Sequence, residues 1–111
     1  MLNFDVQTQS EGSSALVTIR GDFDLQVAVR VADELAEVEA TGPELLVIDL
    51  SGLSFMDSSG MGVIAAAQAR ATEAGRRLVV VKPPPTVRRA FDLSRFGEMI
   101  TIVDEVSAVY P

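Results

Sequence analysis

The chain of 111 residues contains no cysteine, no histidine and no tryptophan, and the first two absences exclude whole classes of function. Without cysteine there is no disulfide framework and no thiol nucleophile. Without cysteine or histidine the two commonest transition-metal ligands are missing. The usual general base near neutral pH is missing with them. An all-carboxylate magnesium or calcium site remains chemically open, but no twelve-residue calcium-loop pattern occurs. Bases are scarce: 9 Lys and Arg stand against 16 Asp and Glu, for a formal charge of -7. The longest basic tracts are the pairs Arg76-Arg77 and Arg88-Arg89, short of the concentrated positive footprint that nucleic-acid binding requires. No apolar run approaches the length of a membrane-spanning helix, and Met1–Asp5 lacks the basic start and apolar stretch of a signal peptide. These absences favour a cytoplasmic protein that is not an enzyme, needs no cofactor, inserts into no membrane and makes no direct contact with nucleic acid.

What is present suits one folded domain, residues 1–111. The hydrophobic content is 48% and prolines number 5, a globular rather than a disordered balance. Aromatics are few, 5 Phe and 1 Tyr, so Val, Leu, Ile and Ala must supply most of the core. The acidity serves solubility, or steers the chain toward a basic partner surface.

Along the chain the periodicity changes several times. Asn3–Gln9 alternates weakly. After a turn at Glu11-Gly12-Ser13, Ala15, Val17 and Ile19 alternate with Leu16, Thr18 and Arg20, which predicts a hairpin closed by Gly21. Residues 25–40 carry a helical pattern, with Leu25, Val29, Ala32, Leu35, Ala36 and Val38 or Glu39 as the expected inward stripe and acids and Arg30 opposite. Asp24 is positioned to cap it, and Thr41-Gly42-Pro43 to end it. Leu45–Ile48 and Leu78–Val81 are unbroken apolar runs of strand length, expected to be buried on both faces of a parallel sheet. An alanine-rich helix over about 59–74 separates them, completing a strand–helix–strand crossover. Pro83-Pro84-Pro85 opens a third helix, with Val87, Ala90, Phe91 and Leu93 facing inward. Ile100–Ile102 reads as a last strand, and Asp104 as the cap of a terminal helix over 105–110. The fold class is α/β: a compact domain with a mixed, mostly parallel sheet of four or five strands and about four helices.

The most informative segment runs from Asp49 to Gly62, read here as a loop between strand and helix. Phe55 and Met56 are large apolar residues among small polar ones. Gly60 and Gly62 fall in the first turns of the following helix, where each costs up to about 1 kcal/mol relative to alanine, so they signal close approach. The start of a helix beyond the C-terminal end of a central strand is where open α/β sheets place their sites. Ser58 lies there, near backbone N–H groups and the positive end of the helix dipole. No basic side chain nearby in sequence could activate its hydroxyl, which suits it to receive a phosphoryl group rather than to attack a substrate. The plain structural reading is that Asp57 or Ser58 caps the helix and the glycines fill packing gaps. Ser59, the neighbouring hydroxyl, points about 100° away from Ser58 on a helix, and packing or capping accounts for it.

Leu53–Val63, reading LSFMDSSGMGV, closely resembles the signature segment of the anti-sigma factor antagonists, free-standing members of the sulfate-transporter and anti-sigma-antagonist (STAS) domain family. Gly21-Asp22-Phe23-Asp24, Val47–Leu50 and Val87–Leu93 resemble other stretches of that family in the same order. The resemblance implies partner switching. The unmodified protein would bind an anti-sigma factor that is also a serine kinase using ATP, and so release a sigma factor. Phosphorylation of the first serine after the aspartate, here Ser58, would abolish binding, and a PP2C-type phosphatase using a divalent metal would restore it. The partner surface expected comprises Asp24, Ser54, Phe55, Met56, Asp57, Ser59, Gly60, Met61 and Gly62, with Phe55 and Met56 as apolar anchors where they are exposed. Two departures stand out: Asp22 replaces the usual glutamate, and Ser94-Arg95 stands where Thr-Gly or Ser-Gly often ends the third helix. The alternative role within the family is a constitutive scaffold or accessory subunit of a stressosome or membrane transporter complex.

Overall fold

Alternation and continuous apolar runs together build one sheet with its helices on one side. The computed structural model describes residues 3–93 and 98–109. Strands β1 (Phe4–Glu11) and β2 (Ser14–Phe23) form the expected antiparallel hairpin, Glu11 pairing with Ser14 across the Gly12-Ser13 turn. Helix α1 (Leu25–Ala40) leads to β3 (Leu45–Met56), α2 (Ser58–Ala74) to β4 (Arg77–Val81), and α3 (Pro85–Leu93) toward β5 (Thr101–Val103). The strands lie in sequence order, β1-β2-β3-β4-β5, and every pair after the first is parallel. Successive crossovers of one hand, stepping in one direction, place their helices on one face.

The core follows the strand periodicity. Ala15, Val17, Ile19 and Phe23 of β2 face the helices and are buried. In β3 and β4, Leu46, Ile48, Leu78 and Val80 join the same cluster. Their neighbours Val47, Val79 and Val81 point the opposite way and are buried as well, the two-sided burial that their lack of alternation implies. After β5 the chain comes back across that second face, where Val106 shares a shallow hollow with Leu16 and the Gln9–Glu11 end of β1.

Three expectations need correction. The inward face of α1 is Val27, Ala28, Val31, Leu35 and Val38, whereas Leu25 and Val29 are 72% and 70% exposed. Two apolar stripes share this helix, and the sheet packs against the one richer in β-branched side chains. The Ser51–Met56 segment is not a loop but the second half of β3, paired with β2 as far as Phe23–Met56. The terminal helix is only a 3-10 turn over Val106–Ala108, and Glu105 rather than Asp104 precedes it. Val87 is buried in the core, as expected. The placement of Ala90, Phe91 and Leu93, the Ser94-Arg95 helix end and the Tyr110 end of the last helix lie outside the described residues and side chains.

Candidate functional site

The site starts with two insertions in β3. Thr18 pairs with Asp49 but Arg20 with Gly52, and Gly21 pairs with Leu53 but Asp22 with Phe55. Each step places one extra residue on β3, a bulge that bends the strand and increases its twist. Burial then runs at every third residue: Leu50, Leu53 and Met56 are buried while Ser51, Gly52, Ser54 and Phe55 are exposed. The first bulge is held by Asp49, whose Oδ1 accepts from the Ser51 N–H at 2.9 Å and the Ser51 hydroxyl at 2.7 Å. On the β2 side Gly21 allows the matching bend. Its φ is +89°, and a Cβ there would stand 2.1 Å from the Asn3 carbonyl oxygen, so only glycine fits.

The bulges bring two helix starts to one level. Phe23 and Met56 are paired, and the next residue in each strand is an aspartate that caps a helix. Asp24 Oδ1 accepts from the Gln26 N–H at 3.0 Å. Asp57 Oδ1 accepts from the N–H groups of Ser59 at 2.9 Å and Gly60 at 3.3 Å. Asp57 in turn donates its own N–H to the Phe23 carbonyl at 3.3 Å. Further along, Arg70 of α2 donates to both carboxylate oxygens of Glu39 near the end of α1, at 2.6 and 2.8 Å. The helices therefore lie side by side and parallel. This bidentate bond pushes the Arg70 guanidinium pKa further up.

Each predicted residue can now be placed. Ser58 is exposed at the first position of α2, with Ser54, Phe55 and Gly62 exposed around it. Asp24, Asp57, Ser59 and Met61 are half-buried. Phe55, 49% exposed, is available as an apolar anchor; Met56, only 7% exposed, is not. Its side chain lies under Gly60, where an added Cβ would come within 2.8 Å of Met56 Cγ and 2.9 Å of the Phe23 carbonyl oxygen. Gly60 thus answers to close packing, and it too is buried. An added Cβ at Gly62 would meet nothing within 4 Å, so nothing in the fold asks for glycine there. The N–H groups expected to receive a phosphate at Ser58 already serve the Asp57 carboxylate. A phosphate on Ser58 would sit beside that negative charge instead of having the helix end to itself. Capping by Asp57 was legible in the sequence, but its claim on both N–H groups was not. Among the described residues no carboxylate cluster could hold a metal ion, and no helix is long and apolar enough to cross a membrane.

Comparison with known proteins identifies the arrangement. A family model described as "Mlab, STAS domain" matches residues 6–103. The anti-sigma F factor antagonist of Paenibacillus polymyxa is 28% identical, over 97% of this chain and 94% of its own length. The crystal structure of an anti-sigma factor antagonist from Mycobacterium paratuberculosis superposes with a TM-score of 0.86 at 23% identity, covering 95% of this chain and 89% of that one. The Bacillus cell fate determinant SpoIIAA in its phosphorylated form superposes with a TM-score of 0.73 at 21% identity, covering 95% and 96%. At these identities the two structures establish the shared fold.

Proposed function

The chain belongs to the STAS domain family, and from that membership we propose that it is an anti-sigma factor antagonist switched by phosphorylation of Ser58. The observation that carries this reading is the placement of Ser58: its side chain opens to solvent at the start of α2, between exposed Ser54, Phe55 and Gly62. A kinase can reach it, and a partner docked on that rim must cover it. The relatives, anti-sigma F factor antagonists, supply the partner class, an anti-sigma factor. The finer parts of the cycle, a serine kinase activity in that factor and a PP2C-type phosphatase that reverses it, belong to the same proposal. So does a cytoplasmic setting, where both would meet the chain.

The physical effect of the modification is local. A phosphoserine adds nearly two negative charges beside the Asp57 carboxylate, and the adjacent cap, Asp24, is acidic too. In bulk-water screening each unit charge repels another at 5 Å by roughly 0.8 kcal/mol. A dianion facing one carboxylate of the docked partner would therefore cost on the order of 2 kcal/mol, a loss of some tens-fold in affinity. The core is untouched, because Ser58 contributes nothing to it. The chain acts by binding and not by catalysis.

The test is to incubate the protein with candidate anti-sigma kinases and ATP and to map any phosphate by mass spectrometry. The expected product carries phosphate on Ser58. Ser58→Ala should bind the kinase whether or not ATP is present, and Ser58→Asp should bind weakly. Tight binding by a verified Ser58-phosphorylated protein would overturn the switch. A permanent partner with Ser58 never modified would point instead to a scaffold role.

A further inference from the structure

The exposed pair Leu25 and Val29 has no part in folding. At about 100° per residue they project roughly 40° apart on α1, with exposed Ala36 between them. The flanks of this stripe are known. Glu39, on one side, is bonded to Arg70 of α2, while Arg30, on the other, lies 5.5 Å from the Phe4 ring of β1. The stripe therefore looks outward on the α2 side of the helix. The neighbouring outward face of α2 has no charged residue from Ser58 to Ala69, and exposed Gly62, Ala66 and Ala69 keep it low. Two parallel helices thus present one uncharged face that starts at Ser58 and continues along α1. Its border is acidic: Asp33, Glu37 and Glu73 are exposed beside it. Arg70, the cation at its lower end, is already bonded to Glu39.

We propose that this α1–α2 face is a docking surface for an apolar ridge with a basic rim on the partner that also covers Ser58, with Leu25 and Val29 as its anchors. The inference rests on the reading of Ser58 as the partner-facing switch and extends that contact about three helical turns along α1, from Leu25 to Ala36. Charge chooses the occupant. A second copy of this chain would set Asp33, Glu37 and Glu73 against their own equivalents, and an anionic lipid surface would be repelled by the same border. Lysines or arginines around an apolar ridge satisfy both the centre and the border, and the low α2 side admits close approach of that ridge.

The experiment uses the full chain and the anti-sigma kinase that modifies Ser58, titrated without ATP. The double substitution Leu25→Gln/Val29→Gln should weaken binding by at least about 30-fold with its thermal midpoint unchanged, because both side chains already face water. Ala69→Glu provides a second, helix-compatible variant and should also weaken binding. Asp33→Lys/Glu37→Lys should weaken binding and flatten its dependence on salt. Wild-type affinity in folded Leu25→Gln/Val29→Gln and Ala69→Glu overturns the docking surface, while weak binding by Ser58→Asp in the same titration leaves the switch standing. Normal binding by Ser58→Asp together with loss in the double variant overturns the switch and keeps the surface. Sedimentation of the chain alone reads the remaining outcome: a dimer abolished by the double substitution makes a second copy the occupant and overturns the basic partner. A wild-type chain that binds no anti-sigma kinase of its own cell overturns both readings.

Discussion

Helices α1 and α2 begin in almost the same way and end up serving different purposes. Each follows a strand whose last residue is paired with that of the other, and each is capped by the aspartate that comes next. Past the caps they diverge. The start of α2 is clamped, with Gly60 against Phe23 and Met56 and two N–H groups on Asp57. The start of α1 is looser, with one N–H on the Asp24 side chain and Leu25 turned out to water. The difference suggests that rigidity is concentrated where a small chemical change must be felt, while the neighbouring helix offers apolar surface.

Substitutions at the two helix starts can break or sharpen that contrast. The largest effect should come from Gly60→Val, which drives a branched side chain into a backbone carbonyl that cannot move aside. A loss of about 3 kcal/mol is expected from overpacking, read by urea unfolding monitored by circular dichroism. Next come the caps. Asp57→Ala removes the acceptor of two N–H groups and should cost about 1.5 kcal/mol, whereas Asp24→Ala removes the acceptor of one and should cost about 0.7 kcal/mol. Equal losses in parallel denaturant titrations would erase the claimed asymmetry. An effect as small as the Asp24 loss has the opposite sign. Gly62→Ala fills open space on α2 and should stabilise the protein by about 0.7 kcal/mol through helix propensity alone, a rise visible in the thermal midpoint. If the same substitution lowers affinity for the partner, glycine at this position serves contact and not the fold.

Much of the fold and part of the site were legible in the residue pattern. The two aspartate caps, the crossover from β3 to β4 and the burial of both faces of these strands all follow from local chemistry and short-range periodicity. The second half of β3 was harder to read because its two bulges replace a period of two with a period of three. Leu50, Leu53 and Met56 were the available signal, and their spacing looks like a loop to any test for strand alternation. The same geometry separates the two candidate anchors: Met56 fills the space under Gly60, while Phe55 beside it faces out. Helix α1 misled for another reason. It carries two apolar stripes, and periodicity reports that a stripe exists without saying which one meets a sheet.

The order of the amino acids therefore determined the elements, their caps and the exposed serine's candidacy, since each depends on neighbours a few positions away. Which side of α1 is dry, which of Phe55 and Met56 is reachable, and which N–H groups remain for a phosphate were decided only by assembly. Those outcomes depend on Phe23 and Met56 arriving side by side from strands more than thirty residues apart, a contact that no local pattern encodes.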